Sequence, residues 1–156
     1  MKWLQQTKKV TVYLASGWFN EQEEIARQDI LDVLNKYQIS YFSPKDEVEV
    51  KPDASSEDRK KAFEADTNSI RDCDFVVAST VGKDMGTLME MGMSYAWKVP
   101  FIVYFPNDKN LPVNLMIAES AYAVASSKKQ LEEIIERLIN NSFDFSKKIY
   151  YEGNIE

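Results

Sequence analysis

Two carboxylates on either side of a glycine turn are the groups in this chain with the clearest chemical potential. Asp84 and Glu90 flank Gly86 in the stretch 84–92, which follows an apolar, strand-like run. A carboxylate at such a place can act as a nucleophile toward an electrophilic carbon. The same spacing also fits a capping box, in which Glu90 would accept a hydrogen bond from the backbone N–H of Thr87. The local pattern alone is compatible with both interpretations.

The composition makes carboxylates the main reactive groups, because the 156 residues include no histidine and a single cysteine, Cys73. Catalytic triads with an imidazole base, and nearly all catalytic zinc sites, are thereby excluded. We expect neither a metal nor a cofactor. The net charge of −6 argues against nucleic acid and anionic membranes as partners. Without an apolar run of membrane-spanning length or a signal-peptide pattern, the sequence predicts a cytoplasmic protein.

Aromatic side chains follow the first predicted strand, at the place where nucleotide-binding folds carry glycine-rich loops. Gly17, Trp18 and Phe19 come directly after this strand, and they match neither the dinucleotide fingerprint nor the Walker A loop. The rings of Trp18 and Phe19 offer flat faces on which a planar ligand could stack. Alternatively, the two rings pack beneath the following helix as core residues.

Alternating apolar runs and helical periods predict the elements that position these residues. Strands are predicted at 10–15, 39–42, 75–78, 101–105 and 121–124, and helices at 20–37, 57–71, 87–97, 113–120 and from 126 or 127 onward. The polar stretch 43–56 is predicted to be a loop. The alternation implies a flavodoxin-like doubly wound five-stranded parallel sheet with helices on both faces, in one domain over residues 1–156. Such sheets bind ligands at the carboxyl ends of their strands.

Five patches of sequence occur in a fixed order along nearly the whole chain. They are residues 12–19 with a Gly-Trp-Phe turn, residues 66–70 followed by Cys73 and Asp74, the motif 84–92, Asn-Leu-Met at 114–116, and Tyr-Glu-Gly at 151–153. Together they resemble the nucleoside 2-deoxyribosyltransferase family. The resemblance implies a retaining double displacement that exchanges bases between 2-deoxyribonucleosides and free nucleobases, a reaction of nucleotide salvage.

The resemblance also implies a role for each matched residue. Glu90 matches the nucleophile, Asp66 the acid that protonates the departing base, and Tyr13 the tyrosine beside the nucleophile. Asp84 and Asn114 match residues that hold the sugar hydroxyls, with Asn114 offered by a neighbouring subunit. The expected substrate-binding set is completed by Gly17, Trp18, Phe19 and Gly86.

Two features complicate the transfer of roles from the family. The segment 43–50 contains no counterpart of the glutamine that contacts the base, so neither a purine nor a pyrimidine preference is assigned. Asp66 lies in a helix that runs back from the ligand-binding edge, and simple topology places it toward the far end of the sheet. There it would be a solvated helix aspartate.

The end of the chain carries four aromatic residues beyond the last predicted helix: Phe143, Phe145, Tyr150 and Tyr151. They either pack on their own subunit or dock on a neighbour, bringing the terminal carboxylate and Asn114 to that neighbour's Glu90. The second interpretation predicts a homo-oligomer, a dimer or a hexamer, with shared active sites and the tail 141–156 at the subunit interface.

Two other functions stay open on the sequence. One is a hydrolase of the same superfamily that cleaves (deoxy)nucleosides or deoxynucleotides, and the other is a non-enzymatic module that senses nucleosides or nucleotides. The nucleotide hydrolases carry a Ser/Arg/Gly-rich phosphate loop after the first strand, where this chain has Trp18, Phe19 and Glu21. Free nucleosides are therefore the favoured substrates, and the set of Asp84, Glu90 and Asn114 favours an enzyme.

Overall fold

Five parallel strands form the centre of the molecule in a computed structural model, which describes residues 9–156. The strands are β1 (Thr11–Ala15), β2 (Ser40–Phe42), β3 (Phe75–Ser79), β4 (Phe101–Tyr104) and β5 (Ala123–Ala125). They lie in the order β2-β1-β3-β4-β5, and every neighbouring pair is parallel. The flavodoxin-like doubly wound sheet predicted from the sequence is confirmed. Residues 1–8, where no signal peptide is expected, lie outside the described part of the chain.

Helices cover both faces of the sheet. They are α1 (Glu21–Lys36), α2 (Pro44–Glu47), α3 (Ser56–Asp72), α4 (Met85–Ala96), α5 (Leu115–Ser120) and α6 (Lys128–Asn140), with a 3₁₀ turn at Val81–Lys83. Apolar residues of α1 and α6 pack with Val12 and Leu14 on one face. On the other face, Tyr13 and Ala15 pack with Ile70 of α3 and Met91 of α4. Successive strand residues point to opposite faces, so Tyr13 lies on the side that carries α3 and α4.

The polar stretch 43–56, predicted to be a loop, contains helix α2 instead. Arg27 of α1, which is buried, donates hydrogen bonds to Ser43 Oγ at 2.9 Å and to Asp46 Oδ2 at 2.5 Å. Pro44 stands at the first helical position, where its missing N–H costs nothing. The segment after β2 is therefore tied to α1 by a buried guanidinium, which the apolar periodicity did not reveal.

The aromatic tail divides into two parts. The rings of Phe143 and Phe145 lie 6.0 Å and 5.2 Å from the ring of Phe75, so these two residues pack on their own subunit. Tyr150 is 70% exposed. The last residues pair with the segment before α5. The Val113 N–H donates to Asn154 O at 2.8 Å, and the Glu156 N–H donates to Val113 O at 3.1 Å. None of the helices within residues 9–156 is long and apolar enough to cross a membrane.

Candidate active site

Helix α4 begins earlier than the sequence pattern suggested, and this changes the interpretation of Glu90. Asp84 is the N-cap residue, and its Oδ2 accepts from the Thr87 N–H at 2.8 Å and from the Thr87 hydroxyl at 2.9 Å. The proposed capping box between Thr87 and Glu90 is therefore wrong, because Asp84 supplies the cap instead. Glu90 lies in the middle of the helix and has no part in starting it.

The Glu90 carboxyl group has one buried oxygen without a regular hydrogen bond. Its Oε2 atom is buried without a hydrogen bond to any residue that the structure describes. Leaving a buried polar atom unpaired costs about 1–3 kcal/mol, so stability alone does not explain this side chain. Gly86 stands one turn earlier on the helix, and a Cβ built there would lie 3.9 Å from Glu90 Oε1. The glycine thus leaves the approach to the carboxyl group uncovered.

Tyr13 lies beneath Glu90 at the bottom of the site. Its side chain is fully buried on β1, and its ring stacks on Phe42 of β2 at a centroid distance of 5.7 Å. Burial raises the pKa of the Tyr13 hydroxyl far above its usual range, and the charges of Glu90 and Asp66 raise this pKa further. The hydroxyl faces Glu90, although neither it nor Glu90 Oε2 has a partner at regular hydrogen-bond geometry.

Burial also governs the protonation of Glu90. Loss of hydration raises the pKa of the Glu90 carboxyl group to about 8; the nearby Tyr13 hydroxyl lowers this pKa, while the charges of Asp66 and Asp84 raise it. A carboxyl group whose pKa is shifted this far by burial and by neighbouring charges is a candidate catalytic group. Three carboxylates are therefore electrostatically coupled at this site.

Asp66 joins the same cluster, contrary to the topological expectation that placed it toward the far end of the sheet. It lies six residues before the end of α3, or about 9 Å along the helix axis, and this distance brings it level with Tyr13 in the middle of β1. Its Oδ1 is buried without a partner among the residues the structure describes, and burial raises the pKa of its carboxyl group to about 6. Asp66 is therefore not a fully solvated helix residue.

The turn after β1 approaches Asp84 closely. Gly17 is buried, and a Cβ built on it would lie 3.1 Å from Asp84 Cβ, so a glycine allows the two loops to meet. The rings of Trp18 and Phe19 are stacked at 5.2 Å with an interplanar angle of 29°. Phe19 is 73% exposed, so packing beneath α1 does not account for it. A stacking surface for a base stays a prediction.

Asn114 lies apart from this cluster within one chain. It caps α5, where its Oδ1 accepts from the Met116 N–H at 3.0 Å, and it lines a cavity of about 350 Å³ together with Leu88 and Glu156. Glu90 does not line this cavity. Leu88 and Glu90 are two positions apart on α4, which corresponds to about 200° around the helix. Asn114 and Glu90 therefore lie on opposite faces of α4.

One buried acidic residue beside the site is not among the candidates that the sequence motifs indicate. Glu23 is 4% exposed, and its Oε2 accepts from the Phe19 N–H at 2.8 Å, while Asn20 caps α1. The available signal was its spacing, because Glu23 stands three and seven residues before Ala26 and Ile30 on the apolar stripe of α1. Across residues 9–156, no group of three His, Cys, Asp or Glu side chains could hold a metal ion.

Comparison with known protein families agrees with this geometry. The family model described as nucleoside 2-deoxyribosyltransferase matches residues 12–132, a span that includes all five residues to which the sequence motifs assign a role in the chemistry or in holding the sugar. The chain belongs to this family. The recognition made from the sequence motifs is thereby confirmed, and the nucleoside 2-deoxyribosyltransferase family places the chain among enzymes that act on nucleosides.

Solved structures show the same fold. A 2-deoxyribosyltransferase from Bacillus psychrosaccharolyticus is 28% identical, with a TM-score of 0.70 over 79% of this chain and 90% of that chain. A conserved protein from Enterococcus faecalis is 19% identical, with a TM-score of 0.68 over 82% and 98%. The CMP N-glycosidase of Clostridium botulinum, also 19% identical, gives a TM-score of 0.55 over 81% and 98%. A sequence search of curated proteins gives no significant match.

Proposed function

We propose that the protein is a nucleoside 2-deoxyribosyltransferase, which exchanges the base of a 2-deoxyribonucleoside through a covalent Glu90 glycosyl-enzyme. The observation that carries the proposal is the Glu90 carboxyl group: its Oε2 atom is buried without a regular hydrogen bond to any described residue, and the group lies beside the Tyr13 hydroxyl and the Asp66 carboxyl group. A buried carboxylate with these neighbours suits attack on an anomeric carbon, where positive charge develops in the transition state.

In the first half of the reaction, an oxygen of ionised Glu90 forms a bond to C1′ of the sugar. The C1′–N bond to the base breaks, and its electron pair stays on the base nitrogen. Asp66 in its neutral form gives its proton to the departing base, and its raised pKa of about 6 keeps part of the population protonated near neutral pH. The products of this step are a glycosyl ester of Glu90 and a free base.

The second half reverses these events with a different base. The nitrogen of the incoming base attacks C1′, the ester bond to Glu90 breaks, and the base proton returns to Asp66. Two inversions at C1′ give overall retention of configuration. Tyr13 limits the freedom of the Glu90 side chain, since its hydroxyl faces the carboxyl group from the floor of the site.

We assign the sugar hydroxyls to Asp84 and, from a second subunit, to Asn114. The Oδ1 atom of Asp84 is left for a sugar hydroxyl because both hydrogen bonds of the helix cap use Oδ2. Asn114 faces away from Glu90 of its own chain, and the residues that follow it are apolar and exposed: Leu115 is 50% and Met116 74% exposed. Docking of a second copy on this surface would bury these side chains and offer Asn114 to the neighbouring site.

A base-exchange assay tests the function directly. The protein is incubated with 2′-deoxyuridine and adenine and, separately, with 2′-deoxyadenosine and hypoxanthine, and the products are separated by chromatography. The two donors cover both base classes. We expect a new deoxynucleoside in at least one mixture. Free base with free sugar would instead indicate the hydrolase, and no turnover of either donor would favour the sensing module.

A matched pair of variants connects this activity to the site. Glu90→Gln keeps the size of the side chain and removes the nucleophilic carboxylate. Glu64→Gln makes the same change at an exposed position of α3. The exchange should disappear in the first variant and persist in the second. Equal activity in both variants would contradict the proposal.

A further inference from the structure

Glu23 occupies the point of the sheet where doubly wound folds usually bind phosphate. The chain passes from β1 to β2 on one side and from β3 to β4 on the other, so the carboxyl ends of β1 and β3 form the topological switch point. Gly17 follows β1 and Gly82 follows β3. A Cβ on Gly17 would lie 2.6 Å from Glu23 Oε2, and a Cβ on Gly82 would overlap Glu23 Oε1. The carboxylate of Glu23 thus fills the space between the two loops.

This carboxylate also engages the backbone N–H that a phosphate would use. The Phe19 N–H, at the start of α1, donates to Glu23 Oε2 at 2.8 Å. The Glu23 N–H donates to the Asn20 side chain at 2.9 Å. Free N–H groups at a helix N-terminus are the usual ligands of phosphate in α/β proteins. In this chain an internal carboxylate takes that position.

The charge around this position is negative. Glu23 approaches Asp84 across Gly17, and Asp84 is electrostatically coupled to Glu90, as is Asp66. Within residues 9–156, none of these four carboxylates forms an ion pair with Lys or Arg. Lys83, next to Asp84 in sequence, lines the cavity of Asn114 and a second cavity with Gly82 and Gln22, and it forms no ion pair with these carboxylates. A phosphorylated ligand would meet uncompensated negative charge.

We infer that Glu23 determines substrate specificity by excluding a 5′-phosphate, so that the enzyme accepts nucleosides and rejects 5′-nucleotides. The inference rests on the proposed function, because Asp84 must hold the sugar for its C5′ substituent to come near Glu23. The Glu23 carboxylate acts both by occupying the anion position and by repelling a second anion. It takes no part in bond breaking.

Two variants from the same helical turn test this inference. Glu23→Gln keeps the size of the side chain and an oxygen for the Phe19 N–H, whereas Glu21→Gln removes an equal charge from an exposed side chain of the same turn. The kcat/KM is measured for 2′-deoxyuridine and for its 5′-monophosphate, with adenine as acceptor. We expect Glu23→Gln to raise the nucleotide-to-nucleoside ratio about tenfold or more, and Glu21→Gln to leave the ratio within about twofold. An unchanged ratio in a folded Glu23→Gln protein would overturn the inference.

A second measurement uses the unaltered protein and therefore does not depend on how the variants fold. The 5′-O-sulfamoyl derivative of 2′-deoxyuridine is neutral and close in shape to the monophosphate. We expect it to be used, or bound, at least about tenfold better than the monophosphate because it lacks the charge. Equal rejection of both compounds would show that the exclusion is steric and would overturn the role of charge.

Failure of the proposed function gives a different result from failure of this inference. If the unaltered protein turns over neither the nucleoside nor the nucleotide, base exchange is refuted. Binding of 2′-deoxyuridine and of its monophosphate is then compared by calorimetry in the unaltered protein and in Glu23→Gln. A monophosphate affinity that rises selectively in Glu23→Gln supports the inference, and an equal preference in the two proteins overturns it.

Discussion

The two faces of helix α4 differ in burial and in hydrogen bonding. One face carries Glu90 into a buried cluster with Tyr13 and Asp66, where three polar atoms have no partner among the described residues. The other face carries Leu88 toward a cavity lined by Asn114 and Glu156, where the Asn114 side chain is hydrogen-bonded to the backbone of α5. The groups that we propose to break the glycosidic bond are therefore gathered in the core of one chain, whereas Asn114, the proposed second sugar ligand, is presented outward.

The inner face of α4 carries groups that cost stability, whereas the outer face does not. Unpaired buried groups destabilise a fold and persist where the surrounding packing holds them; here Tyr13 and Met91 are part of that packing. On the outward face, Asn114 Oδ1 is held by the backbone N–H groups of Met116 and Ile117. We expect changes on the inner face to affect chemistry most and changes on the outer face to affect substrate holding and assembly.

The largest effect is expected at Glu90. Glu90→Gln should lower kcat/KM for base exchange by at least about 10³-fold, since it removes the nucleophile and leaves the fold in place. Chromatography of the products measures the loss, and Glu64→Gln is the control. Normal exchange by a folded Glu90→Gln protein would mean that Glu90 is not the nucleophile and that the inner face of α4 does not carry the chemistry.

Relative to the unaltered protein, the same variant should become more stable as the pH rises. The folded-state pKa of Glu90 is raised by burial to about 8 from the ordinary value of 4.5. The carboxyl group therefore ionises more easily in the unfolded chain, and the unaltered protein loses stability as the pH rises from about 4.5 to about 8. Thermal unfolding at several pH values should show a lead for Glu90→Gln that grows through this window. A lead that shrinks would mean that Glu90 is not desolvated.

The next largest effect is expected at Asp66, where Asp66→Asn should slow exchange by about 10²-fold through loss of the proton donor. With pKa values of about 6 for Asp66 and about 8 for Glu90, the pair carries one proton between these values. The reactive form is the minor arrangement in which that proton lies on Asp66 and Glu90 is ionised, so kcat/KM should be bell-shaped with its maximum between the two pKa values. In Asp66→Asn only Glu90 titrates, and its pKa falls because a neighbouring charge is removed. The profile should then rise with pH to a plateau. An unchanged bell would exclude Asp66 as the donor.

A smaller loss is expected at Asn114. Asn114→Ala should lower kcat/KM about tenfold by weakening the hold on the sugar, and Asn114→Ser, which keeps a capping side chain, should lose activity without losing stability. A mixture of Asn114→Ala and Glu90→Gln subunits tests whether the faces meet across an interface. Statistical mixing in a dimer predicts recovery of about a quarter of the unaltered activity. No recovery after confirmed subunit exchange would contradict a shared site.

The smallest effect is expected at Thr87, which lies at the start of α4 between the two faces. Its buried hydroxyl donates to Asp84 Oδ2 at 2.9 Å. Thr87→Val should lower the free energy of unfolding by about 1 kcal/mol, the usual contribution of one such hydrogen bond, with little change in kcat. Denaturant unfolding measures the first quantity. A large loss of kcat in a folded Thr87→Val protein would contradict this and would indicate a direct role of Thr87 in the active site.

The sheet was predictable from sequence because apolar runs alternate with helical periods and parallel connections allow few topologies. The start of α4 was not, since Asp84 and Thr87 are both good N-cap residues and the choice between them depends on tertiary packing. The position of Asp66 depended on how far α3 extends along the sheet. The position of Glu23 was not predictable either, because its neighbours Gly17 and Gly82 come from loops that are far apart in the chain.

The most direct test of the proposed mechanism is to trap the sugar on the protein. The unaltered protein is mixed with a 2′-deoxynucleoside in the absence of an acceptor base, quenched in acid, digested and examined by mass spectrometry. We predict a 2-deoxyribosyl ester on the peptide that contains Glu90, absent from Glu90→Gln and discharged as a new deoxynucleoside when adenine is added before the quench. An ester on a different residue, or base exchange that proceeds with no covalent adduct, would contradict the central role of Glu90.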